Sequence, residues 1–347
     1  MRLFLIRHGE TVDNVAQVYA GSRDSELTNH GHQQATRLGQ HFKTLGLEFT
    51  HIFSSHLRRA FKTASLIREA QIKAIASDGS VSAVPDVVQV PALMEQDFGF
   101  YEGKKWYEKP ADSRSSGKDA HRQAHSSEPG FVDVESKESM AQRADRFIDE
   151  HLLPLFDLSA ASSDKAVAIV SHGILLSVLW KRFLLRLPRK SVSLSPELLA
   201  NGRFQSLEHL GAWSNTAYLE LDLNNVATQE PSDDTPRFSV PIPGPQSSIA
   251  DEDDTQDNVG REAVQQDAVN AAVVNGKDTV NDNSAPMRSV VQPLSTKLTE
   301  GWTMTVKTIN SRDHVKGLKR TGGGVGSSAH DASQKSIESF FKRRKLG

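Results

Sequence analysis

The chain of 347 residues contains no cysteine. That excludes disulfides, cysteine nucleophiles and thiolate-bound metals, and it fits a reducing compartment. Neither charge is in excess: 41 Lys and Arg face 43 Asp and Glu, a net charge of −2. The chain as a whole is therefore no polyanion binder, and direct nucleic-acid binding is not expected. Long apolar runs are missing too. No stretch approaches the roughly 18–20 residues that span a bilayer, and the opening MRLFLIRHGET is too short in apolar residues for a signal peptide. The expectation is a soluble protein of the nucleus or cytoplasm, without membrane attachment. Hydrophobic residues reach only 37%, which is low for one globular unit and predicts that part of the chain does not fold.

What is present is concentrated in the first two thirds. Leu3 to Ile6 reads as a buried strand. Thr28 can cap a helix in which Ala35, Leu38, Phe42 and Leu45 recur on one face. Phe49 to Ser55 is a second strand, followed by a helix through Ala60, Ala64 and Ile67. A later amphipathic segment carries Ala144, Phe147, Ile148 and Leu152. Ala166 to Val170 is a buried strand leading into the helix ILLSVLWKRFLL, and AYLELDL alternates like a closing edge strand. Strands alternating with helices predict an α/β fold: three layers, with a mostly parallel sheet covered on both faces.

The boundaries follow from texture. Residues 1–224 form the predicted folded domain, interrupted at 109–137 by a polar, aperiodic stretch that reads as an insertion or lid. His121 and His125 within it have the i, i+4 spacing of a metal pair, but no third ligand is evident and no metal site is assigned. Residues 225–333 are rich in Pro, Ser, Asp and Gln and read as a disordered linker. The apolar island GWTMTVKTI at 301–309 stands out inside it, as a transient strand or a docking motif.

The chemistry sits in short motifs. RHGETVDN places Arg7 and His8 at the carboxyl end of the first strand, and VSHG places His172 at the end of a later one. In parallel sheets the crevice beyond those ends binds ligands, so the two histidines should share a pocket. Arg59 lies where a strand runs into a helix, and two arginine forks suit a phosphate dianion. A neutral imidazole among such cations can attack phosphorus. Glu95, in LMEQDFGFYEG, is the candidate proton donor to the leaving oxygen.

Together with GSRDSELTNHGHQQA, SSHLRRAFKTA and EQDFGFYEG, these motifs resemble, in order, the histidine phosphatase superfamily, in its phosphoglycerate mutase-like branch. The likeness covers roughly residues 1–223. It implies a phosphoglycerate mutase-like fold, a phosphohistidine on His8, Glu95 as proton donor, and a phosphate pocket of Arg7, Arg59, His172 and Asn14, with no metal or cofactor. Arg59 rather than Arg58 is chosen because the family's arginine directly precedes the alanine of LRRA. GHQQA favours the phosphatases over the mutases, which usually carry glutamate before that alanine. A phosphorylated small molecule is the expected substrate, a sugar phosphate being the first to assay. A mutase-type phosphotransferase and a catalytically silent scaffold are the alternatives. Lys137-Glu138-Ser139 departs from the family's Gly-Glu-Ser.

The last residues, 334–347, have a different character. Gln334, Ile337, Phe340 and Phe341 follow the spacing Q-x-x-h-x-x-a-a, where h is aliphatic and a aromatic. Wound into one turn, Ile337, Phe340 and Phe341 share a face suited to a partner's groove. This resembles the motif by which replication and repair proteins bind the sliding clamp, proliferating cell nuclear antigen (PCNA). Lys342, Arg343, Arg344 and Lys345 resemble a nuclear-import signal, and contact with DNA phosphates or an acidic clamp surface stays open as well. Calorimetric titration of a 330–347 peptide against the clamp is expected to give micromolar binding, lost when Phe340→Ala and Phe341→Ala are combined. Absence of binding at high micromolar peptide overturns this reading.

Overall fold

The computed structural model describes residues 1–72, 84–105, 125–157, 165–188, 190–200, 206–225, 301–331 and 333. The tail motif at 334–347, most of the linker and His121 lie outside them. Strand β1 (Arg2–Arg7) buries both faces, because its apolar run does not alternate with polar residues. Leu3 and Leu5 point into one core, while Phe4 and Ile6 point into the other. Helix α1 (Val12–Ala16) follows, closed by a capping box between Thr11 and Asn14. Helix α2 (Asn29–Thr44) starts at Thr28, whose hydroxyl accepts from the Gly31 N–H at 2.9 Å.

Then come β2 (His51–Ser54), α3 (Arg58–Gln71), β3 (Val87–Gln89), α4 (Lys137–Phe147), β4 (Ala166–Ser171), α5 (Gly173–Leu184), β5 (Val192–Leu194), β6 (Tyr218–Asn225) and β7 (Trp302–Ser311). The seven strands form one sheet in the order β3-β2-β4-β1-β6-β7-β5. Strands β3, β2, β4 and β1 pair in parallel, as do β5 and β7; β6 alone runs against its neighbours. Helices α4 and α5 cover one face, packing Phe147, Leu176, Trp180 and Phe183 against Leu3, Leu5 and Ile169. Helices α2 and α3 cover the other, packing Leu38, Phe42, Ala64 and Ile67 against Phe4, Ile6 and Val170. The two helices meet closely at Gly39, where a Cβ would stand 2.8 Å from that of Ala70. No helix among the described residues is long and apolar enough to cross a membrane.

Two expectations are corrected. Strand β6 is not an edge: β1 flanks it on one side and β7 on the other. And the span 225–333 is not a linker throughout, since residues 301–331 belong to the domain. Strand β7 alternates, with Met304 and Val306 fully buried opposite Leu223 and Leu221. The partner strand lies some eighty positions earlier, so composition around the island gave no hint of its pairing. At the insertion, described residues resume at His125, which contacts Glu128 at 2.7 Å, and α4 begins at Lys137 under a Ser136 cap. The lysine in place of the family's glycine therefore leaves the helix start intact.

Because Met304 is packed as a core residue, Met304→Ala is expected to cost about 2–5 kcal/mol. Denaturant titration of the full chain measures it against Val88→Ala at a half-exposed position, which should cost under about 0.5 kcal/mol.

Candidate active site

The parallel register between β1 and β4 sets Arg7 opposite Ser171, so the next residue of each strand enters the same crevice. His8 donates its backbone N–H to the Ser171 carbonyl at 3.0 Å, and the His8 and His172 rings lie 5.0 Å apart. Both histidines are buried. Turning out of β1 requires Gly9, because a Cβ there would stand 2.7 Å from the Gly31 carbonyl oxygen.

Hydrogen bonds assign the tautomers. His8 Nδ1 faces its neighbour's carbonyl, Gly9 O, at 2.7 Å; Nδ1 therefore carries the proton and Nε2 keeps its lone pair. His172 is the opposite case. Arg59 Nε donates to His172 Nδ1 at 3.2 Å, which leaves the proton on Nε2, a buried atom with no protein partner. One ring thus offers a nucleophile and the other a donor. Burial, then Arg59 and then Arg7, push the His8 pKa well below the ordinary histidine value, against the weaker pull of the Gly9 carbonyl. His172 is driven the same way by burial, Arg59 and the neighbouring His8.

The arginines are held differently. Arg7 donates one terminal N–H to the Trp213 carbonyl, while its Nε is buried with no protein partner. Arg59 spends its fork on the chain: NH1 reaches the Arg23 carbonyl at 2.8 Å, and NH2 the Ala20 and Gly21 carbonyls at 3.0 and 2.8 Å. A free bidentate fork was expected of Arg59. Instead it ties residues 20–23 to the pocket and contributes its charge at close range. Burial lowers its pKa to about 10, so it stays protonated. Gly21 is required in that loop, since a Cβ would overlap the Gln96 carbonyl at 1.9 Å.

Glu95 meets the start of α5. Its carboxylate accepts from the N–H groups of Ile174 at 3.2 Å, Leu175 at 3.0 Å and Gln96 at 3.0 Å. Asn14 also lines the pocket, accepting at Oδ1 from Asn215 Nδ2 at 3.2 Å. Five of the six expected pocket residues, Arg7, His8, Asn14, Arg59 and Glu95, line one cavity of about 100 Å³. The sixth, His172, is fully buried and does not line it, its ring lying 5.0 Å from that of His8. Among the described residues no cluster of three or more His, Asp or Glu could hold a metal ion.

The sequence reading missed several residues. Trp213 holds Arg7, and Asn215 bonds both Asn14 and the His8 carbonyl, the latter at 3.2 Å. Both sit in AWSNT, a polar run just before β6 whose Asn, Ser and Thr signalled a turn at a strand end. Arg143 on α4 donates to the Ala92, Met94 and Glu95 carbonyls and pairs with Glu135 at 2.8 Å, so it fixes the loop that carries Glu95. Nothing local marks that arginine.

Histidines kept neutral by the fold carry a sign. In the folded state His8 and His172 are well below 6.5 and His314 is at about 4, so only the unfolded chain takes up protons as pH falls through 6.5. Stability is fully present above that value and is lost as pH drops toward the folded pKa values. Urea midpoints at pH 7, 6 and 5 should therefore decline, and His8→Gln with His172→Gln should flatten the decline. An unchanged slope in that variant overturns the assignment.

With this geometry in view, the chain can be set beside known proteins. A probable phosphoglycerate mutase of Erwinia tasmaniensis is 34% identical over 182 residues, 52% of this chain and 73% of that protein. A 2,3-bisphosphoglycerate-dependent phosphoglycerate mutase of Methylorubrum extorquens is 31% identical over 172 residues, 49% and 73% of the two chains. A broad-specificity phosphatase of Saccharomyces cerevisiae is 39% identical over 67 residues, covering 19% and 29%. Among solved structures, a mycobacterial hydrolase superposes with a TM-score of 0.47 at 24% identity, over 66% of this chain and 92% of that one. The family model of the histidine phosphatase superfamily (branch 1) matches residues 3–208. The chain belongs to the histidine phosphatase superfamily, whose chemistry is phosphoryl transfer.

Proposed function

We propose that the protein is a phosphomonoester hydrolase working through a phosphohistidine on His8. The observation that carries this reading is the bond from His8 Nδ1 to the Gly9 carbonyl, which leaves Nε2 free at the pocket between two arginines. In the first step Nε2 attacks phosphorus as the bond to the leaving oxygen breaks, and that oxygen takes a proton from Glu95. In the second step Glu95 takes a proton from water, the water oxygen bonds to phosphorus, and the P–N bond breaks to restore His8. Arg7 Nε and the His172 Nε2–H are buried donors with no protein partner, the kind a bound phosphate would engage; Arg7 and Asn14 line the cavity, and Arg59 supplies charge. Two of the three backbone bonds to Glu95 fall on Oε1 and one on Oε2, which leaves Oε2 the oxygen with room to carry the proton to the substrate.

Hydrolysis is favoured over the mutase reaction by what else lines the cavity. A phosphoglycerate brings a carboxylate as well as a phosphate. Among the described lining residues the cations are Arg7 and Arg59, and the remaining wall includes Val18, Tyr19, Phe98, Ile174 and Trp213. That suits one phosphate on an uncharged alcohol, a sugar phosphate among them, better than a second anion. By its sequence the tail adds a tether to the sliding clamp.

Turnover of p-nitrophenyl phosphate between about pH 5 and 8, with acid-labile phosphate trapped on His8 and lost in His8→Ala, tests the hydrolase. No turnover and no trapped phosphate in the wild type overturns it. Glu95→Ala should lower the rate on an alkyl phosphate about 100-fold or more. The loss should be much smaller on p-nitrophenyl phosphate, whose phenolate leaves without a proton. Equal losses on both would remove the acid role.

A further inference from the structure

Arg320 reaches the catalytic turn from far outside the region that the family model matches, residues 3–208. Its NH1 donates to Glu10 Oε1 at 2.8 Å and its NH2 to Glu10 Oε2, a two-point grip on a buried carboxylate. The Thr28 hydroxyl donates to the same Oε1 at 2.7 Å. Glu10 follows Gly9, and the Gly9–Glu10 peptide is the one whose carbonyl orients the His8 ring. The opposite edge of that peptide, the Glu10 N–H, donates to Gln34 Oε1 at 3.0 Å. The plane that aims His8 is thus fixed at its carbonyl by the imidazole, at its N–H by Gln34, and at its next side chain by Arg320 and Thr28.

Arg320 is itself held. NH1 also donates to the Ser327 hydroxyl at 2.9 Å, and Gly326 makes room for the side chain, since a Cβ there would stand 2.4 Å from Arg320 Cγ. Around it, the Asn29 N–H donates to the Ser328 carbonyl at 2.9 Å, the Asn29 amide to the Val325 carbonyl at 2.8 Å, and the His330 N–H to the Leu27 carbonyl at 2.8 Å. The same segment braces the other side of the turn. The Thr216 N–H donates to the Arg7 and His8 carbonyls from a left-handed conformation, φ 58°, unusual for a β-branched residue. The Thr216 hydroxyl, which donates to the Asn215 carbonyl, accepts from His314 Nε2 at 2.8 Å.

We propose that Arg320 is a positioning residue for the phosphoryl-transfer step, acting through Glu10 on the orientation of His8. The inference rests on His8 being the nucleophile. Removing Arg320 strands a buried carboxylate, which must shift to find water or another donor. Its peptide turns with it, and so does the ring that the peptide aims. The phosphate ligands Arg7 and His172 keep their places, so the loss falls on the chemical step rather than on binding.

Full-length variants assayed on p-nitrophenyl phosphate, with unfolding midpoints measured in parallel, decide the matter. Arg320→Ala should lower kcat about 10- to 100-fold with KM little changed. Arg320→Lys should restore part of the loss. Adding Glu10→Gln to Arg320→Ala should restore most of it, because no charge is then stranded. The proposal is overturned if Arg320→Ala retains wild-type kcat. It is equally overturned if the loss is not relieved by Glu10→Gln and simply follows a lowered unfolding midpoint. His8→Ala separates the two claims: an active His8→Ala sinks the nucleophile, while an inactive one beside a fully active Arg320→Ala sinks only the role of Arg320.

Discussion

Everything at this site depends on one backbone register, the parallel pairing of β1 with β4. It sets Arg7 against Ser171, and so His8 beside His172, before any side chain has chosen a rotamer. Parallel pairing needs a crossover, and here the crossovers are the helices that bury both faces of the sheet. The dry floor of the pocket and the alignment of its two imidazoles therefore have one cause. Slipping β1 by one residue would exchange Leu3 and Leu5 with Phe4 and Ile6 between the two cores and separate the histidines.

The electrostatics follow from that burial. Two arginines and two histidines occupy a space where four positive charges would be untenable, and the fold resolves this by keeping the imidazoles neutral. The two guanidiniums engage their surroundings differently. Arg59 satisfies its donors with the carbonyls of Ala20, Gly21 and Arg23, whereas Arg7 keeps one buried donor unengaged. The first arrangement stiffens the pocket; the second leaves it wanting an anion.

Much of this was legible in the sequence, and the reason is local. RHGETVDN, LRRA and VSHG each put a chemical group at the end of an apolar run, so strand position and chemistry are read together. Thr28 and the helix beginning after it were equally plain. What escaped has long-range partners. GWTMTVKTI has a strand's alternation, yet its pairing with β6 spans a polar stretch that gives no sign of it. Arg320 and Glu10 are 310 positions apart, and Arg143 acts through carbonyls nearly fifty residues away. Neither arginine differs, by type or neighbours, from one on a solvated surface. The role expected of Arg59 shows a finer limit: its place in the pocket could be read, but the partners of its fork could not.

Strand β7 also bears on how the molecule is made. Strand β6 must wait beside β1 with one edge unpaired until residues 302–311 have been synthesised, many residues later. Chain growth at about 5–20 residues per second makes that delay several seconds. During it, an apolar strand with open N–H and C=O groups is a template for any passing β-segment. A nascent chain released too early would carry the motifs of the pocket but not the strand that joins β6 to β5. Its first hazard would be self-association rather than slow catalysis.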